Sequence, residues 1–386
     1  MINPFQSKQI TCPVCLEISE ISVLISEVFG KYFPVTHEKD QYVSQWKWTD
    51  EQWQHINPYL YSIVMCPKCY YSNFIDSFTD KQKSTTKRQM RYLKEKLNEI
   101  SGFEKDLIRK IAEVFLASQT DHSHETAVMG MILTIFYQRM IMERKDFAIS
   151  YTLPGRLYLR LSWLYREQFA NGQKDENNQC AVTPIVSDML DTLRNFHSLN
   201  KQIETQIKTM NEESSEQVYT IVLFLEEATK RLAEKTEEIL SHIDSARGQA
   251  GDERSAIIKK SYTLWNWLPK NEAQAVAMAA DCFVQAANND YEISEKGACK
   301  ILELAAYLYA KIGNKEGSNN CLRQIINLCY NQRMNLMKKL QKNTSIAQKS
   351  DIELEVKRLN TYIEDITYQY KYEENQQSDN FPSADA

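Results

Sequence analysis

Cys12-Pro13-Val14-Cys15 and Cys66-Pro67-Lys68-Cys69 are the stretches on which the reading of this 386-residue chain turns. Two thiolates at i and i+3 across a tight turn can grip one face of a tetrahedral ion, and a second such turn closes the cage. Zinc suits the arrangement, since it accepts four sulfur ligands without a geometric preference of its own. Proline after the first cysteine of each pair fixes φ near −65° and helps turn both sulfurs inward. The pattern therefore predicts a structural zinc site held by Cys12, Cys15, Cys66 and Cys69.

Fifty residues separate Cys15 from Cys66, longer than the usual ribbon spacing, so the insert must fold back to bring the turns together. Residues 18–26 are rich in β-branched side chains, 32–35 are short and apolar, and 61–65 run into the second knuckle. These predict strands of one small antiparallel sheet. Trp46, Trp48 and Trp53, with Tyr42, Tyr59, Tyr61, Tyr70 and Tyr71 around them, can serve as a stacking platform but read better as the core such a unit needs. His37 and His55 read as surface or hydrogen-bonded histidines, because four cysteines already satisfy the metal. A redox role for the cysteine pairs would need a helix N-terminus or a βαβ context, and neither is evident.

Beyond residue 80 the pattern turns helical. Residues 85–118 carry apolar positions at helical spacing with a break near Ser101-Gly102. The stretch from Lys81 to Lys96 is basic, through Lys81, Lys83, Lys87, Arg88, Arg91, Lys94 and Lys96. It reads as a solvated helix face, or alternatively as a track for nucleic-acid phosphates beside the zinc unit. In Asp121-His122-Ser123-His124 a metal reading is open to the two histidines, but Asp121 or Ser123 as an N-cap explains the stretch. Residues 126–147 then form a buried bundle helix, and 155–169 another opened by Pro154, before a polar loop over 171–178. Residues 184–247 read as a long helical hairpin, either a projecting arm or a pair packed on its neighbours.

The C-terminal half predicts helices at 255–268, 271–287, 294–312, 315–329 and 352–368 with very short turns between several of them. Ala279-x₃-Phe283-x₂-Ala286, and later Ser318 and Leu322, alternate small and large side chains in a tetratricopeptide-like way. The fold class expected is mostly α: a zinc-ribbon-like β unit over 1–80, then a helical solenoid or bundle over 81–370. A polar tail over 371–386 should be disordered.

Bulk numbers bound the function. The net charge of −5 gives no global pull towards nucleic acid or an anionic membrane, and no run of eighteen apolar residues appears. The first knuckle begins at residue 12, which leaves no room for a signal peptide. Nine cysteines, an odd count, speak for a reducing cytoplasm over a disulfide framework. Cys180, Cys282, Cys299, Cys321 and Cys329 read as small hydrophobes.

Cys12-Pro-Val-Cys15, then Ile56-Asn57-Pro58-Tyr59-Leu60-Tyr61, then Cys66-Pro-Lys-Cys69-Tyr70-Tyr71 resembles an uncharacterised bacterial family, a domain of unknown function. Leu161-Ser162-Trp163-Leu164-Tyr165-Arg166-Glu167 is similar to that family's first repeat helix. The resemblance implies a zinc-ribbon-like head followed by tetratricopeptide-like helices. It implies no activity. Members typically place glycine after each knuckle's second cysteine, where this chain has Leu16 and Tyr70, so a side chain strains each turn. With no phosphate loop, H-E-x-x-H or G-x-S-x-G, catalysis is not expected. The expected role is a cytoplasmic scaffold that binds a protein or peptide on its helical surface.

Overall fold

The structure, a computed structural model, describes residues 4–24, 32–78, 84–118, 120–144, 147, 150–175, 253–290, 293–341 and 346–378. The expected hairpin at 184–247, Cys180, Lys81, Lys83 and the last eight residues lie outside these. The described chain is mostly helical, with short antiparallel strand pairs near its N-terminus.

Each knuckle sits at the tip of its own hairpin. Strand β1 (Phe5–Thr11) pairs antiparallel with β2 (Ile18–Leu24) from Phe5 opposite Leu24 to Thr11 opposite Ile18, with the first knuckle between them. Strands β5 (Val64–Met65) and β6 (Ser72–Asn73) flank the second knuckle. Between these lie β3 (Tyr32–His37) and β4 (Val43–Trp48), also antiparallel. The strands thus make three separate pairs where one sheet was expected. Each tight turn consumes the ladder of its own hairpin, and nothing in the register ties one pair to the next. Residues 58–61 form a 3₁₀ turn with Asn57 as its cap and Pro58 inside its start, so the expected strand over 61–65 shrinks to two residues.

The helices follow from local signals. Ser101 and Glu104 form a capping box between α1 (Ser84–Glu99) and α2 (Gly102–Ala117), at the expected break. Ser123 caps α3 (His124–Met142), which is buried on nearly every side. There Gly130 lets the Phe115 ring approach, since a Cβ would sit 2.4 Å from it. Helix α4 (Thr152–Asp175) runs on as far as Asp175, into the stretch expected as a polar loop, whose residues 176–178 lie outside the described ones. After the helix over 253–264, here α5, come α6 (Glu272–Asn289), α7 (Glu295–Lys311), α8 (Lys315–Leu340) and α9 (Ile346–Ser378). Each of α6 to α9 packs on its sequence neighbour. Ala279, Phe283 and Ala286 of α6 and Ser318 and Leu322 of α8 are buried, as their small and large places predict. The last helix runs to Ser378, past the point where a disordered tail was expected.

Two compact units emerge. One comprises Met1–Glu167 with Ile257–Ala386, the other Gln168–Ala256, of which residues 168–175 and 253–256 belong to described helices. Within the first unit Cys12, Val14 and Tyr71 share one hydrophobic cluster with Leu107, Ile132 and Leu161, so the N-terminal strands and the helices have a common core. A smaller cluster gathers Phe5, Trp48 and Ile56.

A charged joint crosses that core. The β3–β4 turn places Gln41 at φ 66°, with its N–H donating to the Glu38 carbonyl at 2.9 Å. This left-handed turn inserts Asp40 so far that its exposure is 0%. Arg166 Nη2 donates to the Asp40 carboxylate at 2.6 Å and Lys311 Nζ at 3.0 Å. Arg166 also donates to Glu38 at 2.9 Å and to Glu272 at 2.8 Å. A carboxylate this deep persists only when paired.

Burial alone would push the Asp40 carboxyl up, but the Arg166 and Lys311 hydrogen bonds outweigh it and hold the group below the usual carboxylate range. Stability from a depressed carboxyl is complete above its unfolded value, about 3.9, and disappears as pH falls through the lower folded value. Wild type should therefore lose stability below about pH 4 more steeply than Asp40→Asn. That variant should already be weaker at neutral pH by on the order of 3 kcal/mol. Thermal melts of both proteins between acid and neutral pH check the pair of outcomes.

Candidate metal centre

The two knuckles adopt the same backbone. In the first, Leu16 N–H donates to the Cys12 carbonyl and Cys12 N–H to the Glu17 carbonyl, both at 2.9 Å. In the second, Tyr70 N–H donates to the Cys66 carbonyl at 3.0 Å and Cys66 N–H to the Tyr71 carbonyl at 2.8 Å. Both turns close only if the residue after the second cysteine is left-handed. Leu16 has φ 64° and Tyr70 has φ 63°, the positions where glycine was the expected residue.

This geometry brings together all four cysteines that the spacing singled out. Sγ of Cys12 lies 3.5 Å from that of Cys69, and Sγ of Cys15 lies 3.6 Å from that of Cys66. The four sulfurs are within 4.8 Å of one another. A tetrahedral ion with sulfurs at about 2.3 Å needs sulfur–sulfur edges of roughly 3.8 Å, so the cluster has the size of such a cage. Cys12 and Cys66 are buried, at 1% and 0% exposure, while Cys15 and Cys69 are half-buried. Lys68 and Glu17 form an ion pair of 2.5 Å across the two knuckles.

Electrostatics make the same point. The Cys12 thiol, bonded to the Cys66 sulfur, is pushed up to about 12, and Cys69 is pushed far above its usual value by its bond to Cys12. Cys66 is pulled down to about 2 because Cys12 and Cys69 both donate to it. Without a cation the cluster resists further thiolates. With a divalent cation every sulfur can be one.

The histidines stay outside. His37 and His55 do not belong to the cluster. Nδ1 of His122 lies 2.9 Å from the Leu60 carbonyl, and its ring packs between Tyr61 and Phe115. His124 pairs with Glu167 at 3.2 Å. Glu167 also accepts from Asn57 Nδ2 at 2.6 Å and from the Tyr42 hydroxyl at 3.2 Å, while Tyr59 packs on Trp163. Two of the segments that carried the family resemblance, 56–61 and 161–167, thus meet in space. Of the basic stretch, Lys96 pairs with Glu99 at 2.6 Å and Arg88 lies over the Phe147 ring. The Asp40 joint was not foreseen, because no spacing rule links residues 40, 166, 272 and 311.

Two outcomes follow for the centre. Protein prepared without chelator should carry about one divalent ion per chain by elemental analysis, and Cys66→Ser should abolish it. Leu16 is 74% exposed, so Leu16→Gly removes left-handed strain at little packing cost. It should stabilise the metal-loaded protein by about 0.5–1 kcal/mol in denaturant melts, the strain relieved less the added chain entropy.

A family model described as an uncharacterised protein conserved in bacteria (DUF2225) matches residues 5–268, more than half of the chain. No curated protein and no solved structure matches it. Cysteine knuckles, the Asn57–Tyr59 turn and the α4 motif all lie within the matched span, and the chain belongs to the DUF2225 family of uncharacterised bacterial proteins.

Proposed function

We propose that this chain is a zinc-stapled helical scaffold that binds a partner protein or peptide, and that it is not an enzyme. The observation that carries the reading is the closure of the sulfur cluster. Four cysteine ligands fill a tetrahedral shell, whereas catalytic zinc keeps a position open for water or substrate. Zinc is favoured over other divalent ions because thiolates are soft and the cage is tetrahedral. When bound, the ion supplies a fixed cross-link between two hairpins. Cys12, Cys15, Cys66 and Cys69 hold it, and Lys68 and Glu17 hold the knuckles to each other.

Interaction is the reading that helices α6 to α9 support, each packed on the next, with small and large side chains alternating in α6 and α8. Such stacks present long surfaces, and binding is the usual use of them. A reducing cytoplasm fits the cysteines. Cys299 and Cys329 lie 3.9 Å apart at sulfur and remain thiols, as do Cys282 and Cys321. Among the described residues no helix is long and apolar enough to cross a membrane.

Affinity purification from the native host, followed by reconstitution with the purified partner, tests the scaffold reading. A reproducible partner that rebinds at fixed stoichiometry is expected. Repeated purifications with no common partner would sink it. For the staple, zinc is expected as the resident metal, and iron or an absence of metal in chelator-free protein would overturn that part.

A further inference from the structure

Cys299 and Cys329 each lie fifteen residues from Asn314, the cap of α8 at the turn between α7 and α8. Where those helices fold back on each other, the two cysteines fall opposite one another. Small buried side chains, Ala298, Ala305 and Ala306 on α7 and Ser318 on α8, let the helices pack closely. The two sulfurs are 3.9 Å apart, and both residues are buried, at 5% and 1% exposure. Cys282 and Cys321, the other helical cysteines among the described residues, are not paired in this way. A disulfide holds its sulfurs at about 2.05 Å, so bond formation asks two side chains already in contact to close by about 2 Å.

We propose that Cys299 and Cys329 form a reversible disulfide when the protein meets a peroxide, and that the bond staples α7 to α8. One thiolate attacks a peroxide oxygen and the O–O bond breaks. The released hydroxide takes up the thiol's proton and leaves as water, and the cysteine becomes a sulfenic acid. The second thiol attacks that sulfur, the S–O bond breaks, and a second water departs. Two thiols have then lost two protons and two electrons, and the peroxide has become two waters. Contact between the sulfurs favours this second step over further oxidation of the first cysteine. Burial pushes the Cys299 thiol up to about 12 and the Cys329 thiol upward as well, with Glu303 nearby adding to both. Little of either is thiolate at neutral pH, so the device answers sustained oxidant and not a brief pulse. Tyr362 of α9 donates to Glu303 at 2.6 Å, one turn from Cys299, so the staple fixes the part of the stack on which the last helix rests. None of this depends on the scaffold reading.

The test uses the full-length protein purified without chelator. It is exposed to hydrogen peroxide, its remaining thiols are alkylated, and it is digested with trypsin. Cleavage after Lys296, Lys300, Arg323 and Arg333 isolates each cysteine in its own peptide, 297–300 and 324–333. These should appear as one linked species, two hydrogens lighter than their sum, and should separate on treatment with dithiothreitol. Oxidation should raise the melting temperature of the helical body by on the order of 5 °C, and reduction should reverse the rise. Cys299→Ala and Cys329→Ala should each lose both the link and the rise. If neither variant folds, the peptide map of the wild type decides alone. Separate peptides with both cysteines alkylated or carried on to sulfinic acid would overturn the proposal. So would either cysteine linked to Cys282 or Cys321, or a link that forms only in denaturant. A linked protein that melts where the reduced one does would overturn the staple.

Discussion

Four sulfurs held within 4.8 Å of one another form an arrangement that no hydrophobic core can sustain alone. Crowded thiols repel a second thiolate, and burial raises the cost of each charge. The two knuckles nevertheless bend their backbones into a left-handed residue apiece to bring the sulfurs there. That strain, on the order of 1–2 kcal/mol per residue, is small beside the roughly 10–16 kcal/mol that a four-ligand zinc site releases in isolated peptides. A cation held by the four sulfurs would decide the sign. The separate strand pairs bring the two knuckles together without a shared ladder, and Tyr71 packs beside them on Tyr137.

A second constraint acts on the same unit. The charged joint at Asp40 draws on the β3–β4 turn, α4, the start of α6 and the end of α7, elements far apart in the chain. Hydrophobic contact between the strands and α3 is indifferent to small shifts of register, whereas a guanidinium whose three nitrogens each hold a different carboxylate is not. Arg166 makes three of these contacts and also covers the Tyr42 ring at 4.6 Å. Beside it Glu167 gathers Tyr42, Asn57 and His124. Two consecutive residues of α4 thereby fix the orientation of the hairpin and turn that carry the aromatic core.

What could be read from the chain alone divides by range. The four cysteines, the Ser101 box, the Ser123 cap and the small-to-large alternation around Phe283 are each complete within a few residues, so the linear text contains them. The turn at 58–61 was also written locally, in Asn57-Pro58, but the apolar run over 61–65 suggested a strand that began at its last residue. Polar composition misled again over 171–175, where α4 continues as helix. The Asp40 joint is different in kind. An aspartate in a hairpin tip looks like any solvated turn residue, and only the tertiary fold supplies the guanidinium and ammonium that let it sink.

The wide spacing of the Asp40 partners has a consequence for how the protein is made. Arg166 follows Asp40 by 126 residues and Lys311 by 271. At a synthesis rate of roughly 5–20 residues per second, the ammonium reaches its carboxylate about 15–55 seconds after the hairpin has left the ribosome. The two cysteine hairpins are finished long before that, while the joint is still short of its last cation. The nascent chain is therefore assembled in two acts, a cysteine cluster early and an electrostatic latch late, and the latch closes only on a chain translated as far as α7.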